Sequence, residues 1–372
     1  MPNQSELAEK ERRVRYFLQV KGLKALLLKR QANFAWMTCG GLNQVGMTTE
    51  VGAASLLITR SAKYLVSNNI ESPRMIHEEG LETLGFSIET FPWHENREAS
   101  IVRELAGGGP LGSDIPFPDA QVMAEEIARL RYSLTPEEVE RYRWLGAKAT
   151  LAVEKTLQEA RPGEKESEVV GRLCHELWKD RIDPVGLMAA ADDRIARYRH
   201  PIPTERRSEK LLMLSVNARK GGLIVCLTRF VHFGKASRVL LEKYQANVIV
   251  DCTFMVHTRP GTRTQEVFRK GLDAYRERGF AEEWKLHHQG GSIGYQNRDY
   301  RVSPDTQEVI QDNQAFCWNP SLTGTKSEDT ILATSRGPEM ITGPKTYPTL
   351  AMEVGGFPFI RPAILEKVHE QP

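Results

Sequence analysis

The run Leu134-Thr135-Pro136-Glu137-Glu138 marks where one folding unit ends and another begins. Thr135 is placed to cap a helix, Pro136 suits a first turn because it has no N–H to lose there, and Glu138 can reach back to the cap nitrogen in a capping box. Val139 to Ala160 carries Leu145, Ala149, Val153 and Leu157 at helical spacing, and Arg161-Pro162-Gly163 stops it before a second amphipathic stretch, Glu168 to Arg181. A chain of 372 residues exceeds one ordinary core. Two domains are expected, residues 1–132 and 133–372.

The first part alternates helical and strand-like pieces, which predicts a small α/β domain. Arg12 to Lys21 reads as a helix and Gly22 to Leu28 as an apolar strand. Ala53 to Ile58 and Tyr64 to Ser67 suit a hairpin around the polar run Thr59 to Lys63, while Asn33 to Trp36 leads into a Cys39-Gly40-Gly41 loop. In the second part, Leu211 to Val216 and Leu223 to Phe230 are strand-like and joined by Arg219-Lys220-Gly221-Gly222, turn chemistry for a hairpin. A helix is expected over Thr264 to Arg278, with strands at Gln314 to Trp318 and Thr330 to Thr334.

Charge excludes some partners. The 50 basic and 48 acidic residues leave a formal +2, and no basic block stands alone, so neither a nucleic acid nor a membrane surface is an expected partner. Met1 to Arg15 is polar, and apolar runs such as Ala25 to Leu28 are far too short to span a bilayer, so a cytoplasmic protein is expected. Five cysteines without a CxxC pair indicate neither a disulfide framework nor a zinc knuckle.

Four local phrases occur in a telling order: Thr135-Pro136-Glu137-Glu138, Arg161-Pro162-Gly163, Leu227-Thr228-Arg229 and Ser327-Glu328-Asp329. Together with the order of helices, hairpin, glycine motif and strand pair, they resemble the creatinase, aminopeptidase P and prolidase superfamily. That resemblance implies an α/β chain with a small N-terminal α/β domain followed by a C-terminal pita-bread domain. It also implies a homodimer, in which a loop such as Thr38 to Met47 closes the partner's pocket.

The peptidases of that superfamily hold two divalent metals with two Asp, one His and two Glu, since such ions need several converging hard donors. The matching positions here are Ser215, Cys226, Gly291, Asn319 and Glu328, and only Glu328 is a carboxylate of that set. One carboxylate cannot hold a dinuclear cluster, so no metal and no other cofactor is expected. Asp192, Asp193 and Asp251 are the carboxylates that could compensate.

Creatinase has the same fold without metals and uses a histidine for proton transfer. His200, in Arg199-His200-Pro201, matches that histidine, and an imidazole with a pKa of ~6.5 can shuttle protons at neutral pH. The resemblance implies catalytic roles for His200 and Glu328. Around them Arg298 is placed to clamp a carboxylate and Lys326 to add an anion contact. His287, His288, Asn319, Thr228 and Cys226 complete the candidate substrate-binding set, Cys226 also being weighed as a nucleophile. Thr228 stands where creatinase carries a guanidinium-binding glutamate, which argues against creatine itself. The expected function is metal-independent hydrolysis of a C–N bond in a small amide, amidine or modified amino acid. The alternatives are a non-catalytic ligand-binding pseudo-peptidase, or a Xaa-Pro peptidase if metal is bound after all.

Overall fold

The capping box at Thr135 forms as the sequence predicts. Glu138 Oε2 accepts the Thr135 N–H at 2.8 Å, and the Glu138 N–H reaches Thr135 Oγ1 at 3.3 Å. Residues 4–368 are described in a computed structural model, and within it the chain forms two compact units. One runs to Glu138 and takes in Gly221–Leu223, and the other holds Val139–Lys220 and the chain from Ile224 onward.

The first unit contains α1 (Gln4–Val20), β1 (Ala25–Arg30), α2 (Gln31–Met37), β2 (Val51–Thr59), β3 (Lys63–Asn68) and α3 (Ser72–His77). It continues with β4 (Ser87–Phe91), α4 (Glu98–Leu105), β5 (Leu111–Ser113), β6 (Ala120–Val122) and α5 (Ala124–Arg129). Its six strands form one mixed sheet in the order β4-β3-β2-β1-β5-β6, packed over a core that includes Leu27, Leu57, Val66 and Val102. The β2–β3 hairpin is antiparallel, with Ile58 opposite Lys63. Asn33 to Trp36, expected to lead into a loop, lies inside α2, whose Phe34, Trp36 and Met37 are fully buried. Tertiary burial outweighs the weak intrinsic preference of so short an aromatic-rich stretch.

The second unit opens with α6 (Pro136–Glu159) and α7 (Glu166–Trp178), followed by β7 (Asp183–Ala191), α8 (Arg194–Arg197), β8 (Leu211–Lys220) and β9 (Leu223–Phe233). Gly221 and Gly222 both have positive φ, 54° and 79°, as a two-residue hairpin turn with the right-handed twist requires. Next come α9 (Arg238–His257), α10 (Thr264–Glu277), a 3₁₀ turn at Glu283–Leu286, β10 (Gly290–Ile293), β11 (Tyr300–Arg301) and β12 (Gln314–Trp318). The chain ends through β13 (Ser321–Leu322), β14 (Thr325–Lys326), β15 (Asp329–Thr334), β16 (Gly337–Met340), β17 (Thr349–Val354), β18 (Phe357–Pro362) and β19 (Leu365–Lys367). Two larger sheets result, β11-β10-β12-β15-β16 and β19-β9-β8-β7, together with the two-stranded pairs β13-β14 and β17-β18.

Helix α9 does not appear in the sequence pattern. It buries Asn247, Val248, Val250, Asp251, Cys252, Phe254, Met255 and Val256, residues on several faces, so there is no polar stripe to reveal its period. Phe254 stacks on Trp318 at 4.7 Å, tying α9 to β12, and Gly271 of α10 passes where a Cβ would lie 2.0 Å from the Phe254 ring. Among the described residues no helix is long and apolar enough to cross a membrane. All five cysteines are free.

Candidate active site

Glu328 lies between β14 and β15 and is fixed at both ends. Its carbonyl accepts the Thr228 N–H at 3.0 Å. Its carboxylate oxygen Oε2 accepts Thr228 Oγ1 at 2.6 Å and Ser215 Oγ at 3.0 Å, and lies 2.7 Å from Lys326 Nζ. The other oxygen faces Arg298 Nη2 at 3.7 Å and the Cys317 thiol at 3.8 Å. Lys326 and Glu328 are both almost fully buried, at 4% and 3% exposure. Burial would push this carboxyl up, but the Lys326 ammonium and the Arg298 guanidinium outweigh it and hold the pKa down to about 2.

Glu328 is therefore held ionised at neutral pH, with five donors or cations within 3.8 Å of its carboxylate. Arg298, expected as a two-pronged carboxylate clamp, directs both ends of its fork to groups within the protein. Its Nη1 donates to Asn297 O at 2.7 Å and approaches Cys226 Sγ at 3.8 Å, while Nη2 reaches Asn319 Oδ1 at 3.4 Å and Glu328. The fork is spent inside the protein. Only Nε of Arg298 is buried without a hydrogen-bond partner.

Cys226 and Cys317 lie side by side on β9 and β12. Burial raises the Cys317 thiol well above its ordinary value. At Cys226 burial acts in the same direction, but the hydrogen bond with Cys317 and the Arg298 charge carry it below. No histidine contacts the Cys226 sulfur, and the residue is fully buried, so the base that a thiol nucleophile needs is absent from its described contacts.

The second half of the site is a trio of imidazoles. Arg199 donates to Glu283 Oε2 at 2.9 Å and Thr323 Oγ1 at 2.8 Å, pinning the segment that carries His200 to the turn that precedes His287. His200 Nε2 then lies 3.1 Å from His287 Nε2, and the His288 ring centroid is 5.3 Å from that of His200. His287 Nδ1 contacts Ser321 Oγ at 3.2 Å, and its Nε2 contacts Asn319 Nδ2 at 3.3 Å. His288 Nδ1 is buried without a partner. Burial first, then Lys326, pushes His287 down to about 2; burial and Arg298 push His288 down to about 3. His200 is lowered by burial and by Lys326. All three are neutral at pH 7.

The positions expected to converge do so, but they do not fit a pair of divalent ions. Ser215 and Glu328 are hydrogen-bonded to each other, Asn319 gives its oxygen to Arg298, and two cations already serve the one carboxylate. Gly291 has φ +152°, and a Cβ there would lie 2.3 Å from Tyr300 O, so the backbone leaves no room for a histidine side chain at this position. The candidate compensating carboxylates are occupied. Asp192 accepts the N–H groups of Glu209, Lys210 and Leu211, Asp193 pairs with Arg197, and Asp251 pairs with Arg361 at 2.5 Å. The imidazole trio is the one group of metal-type donors clustered among the described residues, its ligand atoms within 4.8 Å of one another. Lys326, Arg298 and Arg301 all press positive charge on it, which opposes a further cation.

The sequence reading missed Ser321, Arg199, Arg301 and Cys317 as parts of this site. Of these only Arg199 had a signal, its place beside His200.

The profile of metallopeptidase family M24 matches residues 140–335. An uncharacterized peptidase of Staphylococcus aureus (strain MW2) is 22% identical over 226 residues, 58% of this chain and 64% of that protein. A Xaa-Pro dipeptidase of Lactobacillus helveticus is 23% identical over 238 residues, 59% and 63%. The chain thus aligns with less than two thirds of the length of these relatives. The crystal structure of the prolidase from Pyrococcus horikoshii OT3 superposes with a TM-score of 0.76 over 91% of this chain and 99% of that one, at 19% identity, a likeness of fold.

Proposed function

The chain belongs to metallopeptidase family M24, and from that premise we propose that it is a hydrolase of the family that works without the dinuclear metal cluster. Its substrate is a small anionic molecule with a scissile C–N bond, an amide, amidine or modified amino acid. The observation that carries this reading is the Lys326 ammonium, buried and 2.7 Å from the single remaining carboxylate of the ligand set. An ammonium within bonding distance of Glu328 supplies the charge that a divalent ion would have brought there.

His200 is the proton-transfer group. It is exposed to solvent and neutral at pH 7, so it can take a proton from an attacking water and return it to the leaving nitrogen. Lys326, Arg298 and Arg301 attract an anionic substrate to the imidazoles and, with an amide, stabilise the negative charge that develops on its carbonyl oxygen. Glu328 orients the two inner cations.

The engagement of Glu328 also favours a second reading, in which the site binds an anionic ligand without turnover. A panel of small carboxylate-bearing amides and amidines separates the readings. Turnover should persist in EDTA and vanish in His200→Ala, whereas binding without turnover in wild type supports the second. Loss of activity in EDTA with recovery in manganese would instead make the chain a metallopeptidase, such as the Xaa-Pro dipeptidase among its relatives. Assembly as a homodimer is part of the same proposal, and light scattering at micromolar concentration tests it.

A further inference from the structure

The hydrogen bonds that run from Arg298 to His200 have a direction, and it is set at the arginine. A guanidinium only donates, so the 3.4 Å contact of Arg298 Nη2 with Asn319 forms with the amide oxygen on that side. The NH2 group of Asn319 is thereby turned to His287 Nε2, 3.3 Å away. An amide NH2 also only donates, so that nitrogen of His287 carries a lone pair. The proton of the neutral ring then sits on Nδ1, where Ser321 Oγ accepts it at 3.2 Å. His200 Nε2 approaches the same lone pair to 3.1 Å, a distance that two lone pairs do not reach, so His200 Nε2 carries a hydrogen and donates. The other ring nitrogen of His200 is left bare, and it makes no hydrogen bond with any described residue.

We propose that Asn319 and His287 are positioning residues that hold His200 in its Nε2–H tautomer, so that Nδ1 is the atom at which this histidine takes a proton. The burial that keeps His287 neutral also keeps its Nε2 an acceptor across the working pH range. When His200 becomes an imidazolium, its Nε2–H bond to His287 gains charge assistance and strengthens, which favours the proton-transfer state. The catalytic meaning rests on the hydrolase reading above, but the tautomer does not.

Imidazole ring nitrogens with and without hydrogen separate in two-bond ¹H–¹⁵N correlation spectra of histidine-labelled protein, and His200→Gln and His287→Gln assign the signals. The expected result at pH 7 is Nε2 protonated and Nδ1 bare in His200, and the reverse in His287. Asn319→Asp replaces the donor by an acceptor, so both rings should exchange their protonated nitrogen, the Ser321 hydroxyl turning to donate. If that variant fails to fold, Asn319→Leu removes the bias and should give His200 a mixture of tautomers. On a substrate, Asn319→Asp should lower kcat by about 10²-fold with little change in KM. A bare Nε2 in wild-type His200, whether free or bound to a metal carried by the three imidazoles, overturns the proposal, as does an unchanged pattern in the variants. Absence of turnover with the expected tautomers removes the hydrolase reading and leaves this assignment standing.

Discussion

Lys326→Met removes the one full charge in hydrogen-bond contact with Glu328, and its cost can be worked from the site. Holding the buried carboxyl at about 2 instead of its ordinary 4.5 amounts to about 3 kcal/mol at pH 7. Lys326 is the largest of the influences that lower it, ahead of Arg298, whose Nη2 stands farther off at 3.7 Å. Removing one partner of a buried pair typically costs about 3 to 5 kcal/mol, because the other charge is left in a poor solvent. Arg298 and the Ser215 and Thr228 hydroxyls remain on Glu328, which puts the expectation at the lower end, about 3 kcal/mol. Urea unfolding at pH 7 followed by circular dichroism measures it. Lys326→Met/Glu328→Gln should recover part of that loss, because the carboxylate stranded by the single change is gone while Arg298 keeps the Asn297 and Asn319 oxygens but loses its carboxylate partner. A loss below about 1 kcal/mol in the single variant would refute the reasoning. So would a wild type stabilised by millimolar manganese, which an ion binding the folded state must produce.

Three further outcomes are expected. His287 is 8% exposed and has its pKa pushed down to about 2, so it is protonated on unfolding below pH 6.5 and contributes stability that is lost as pH falls. Unfolding titrations should show the drop from pH 7 to pH 5 to be about 2 kcal/mol smaller in His287→Gln than in wild type, a comparison in which other titrating groups cancel. Because His200 is lowered, the acid limb of a kcat/KM profile should fall below pH 6.5, and a limb above that value would contradict its role as the base. Gly291→His should bind no manganese by mass spectrometry and should lose at least about 3 kcal/mol in thermal unfolding, since its Cβ meets Tyr300 O and Val302 N at 2.3 and 3.0 Å.

What the sequence made legible was local. The capping box, the Gly221-Gly222 turn and the short phrases along the second unit each depend on a few adjacent residues, and each leads to the element or position expected from it. Helix α9 escaped because a helix buried on several faces has no periodic contrast to read. The state of the candidate residues escaped for a different reason. Thr228 and Ser215 reach Glu328 across 100 and 113 positions, and His287 meets His200 across 87. The family resemblance implied which groups would gather. It could not say that Arg298 would spend its fork on Asn297, Asn319 and Glu328, leaving none of it for a substrate carboxylate.

The residues at the positions that the resemblance matches to metal ligands are best understood together. If a single ligand of a dinuclear cluster were lost, the remaining carboxylates would face one another in a buried site without their cations, at a cost of several kcal/mol for each uncompensated charge. If only the carboxylates were lost, the ions would lack donors. A chain can leave that arrangement cheaply only by removing carboxylates and supplying its own positive charge in the same place. This site does both: Ser215, Cys226 and Asn319 are uncharged, Lys326 and Arg298 serve Glu328, and β10 leaves no room for a side chain at Gly291. Reversal therefore requires more than restoring ligands one at a time. A variant with aspartate at positions 215 and 226 but with Lys326 retained should still bind no manganese, because the ammonium 2.7 Å from Glu328 occupies the charge that the ion would need. Manganese binding by that variant would show the lysine to be a bystander and the loss of carboxylates to be the whole cause.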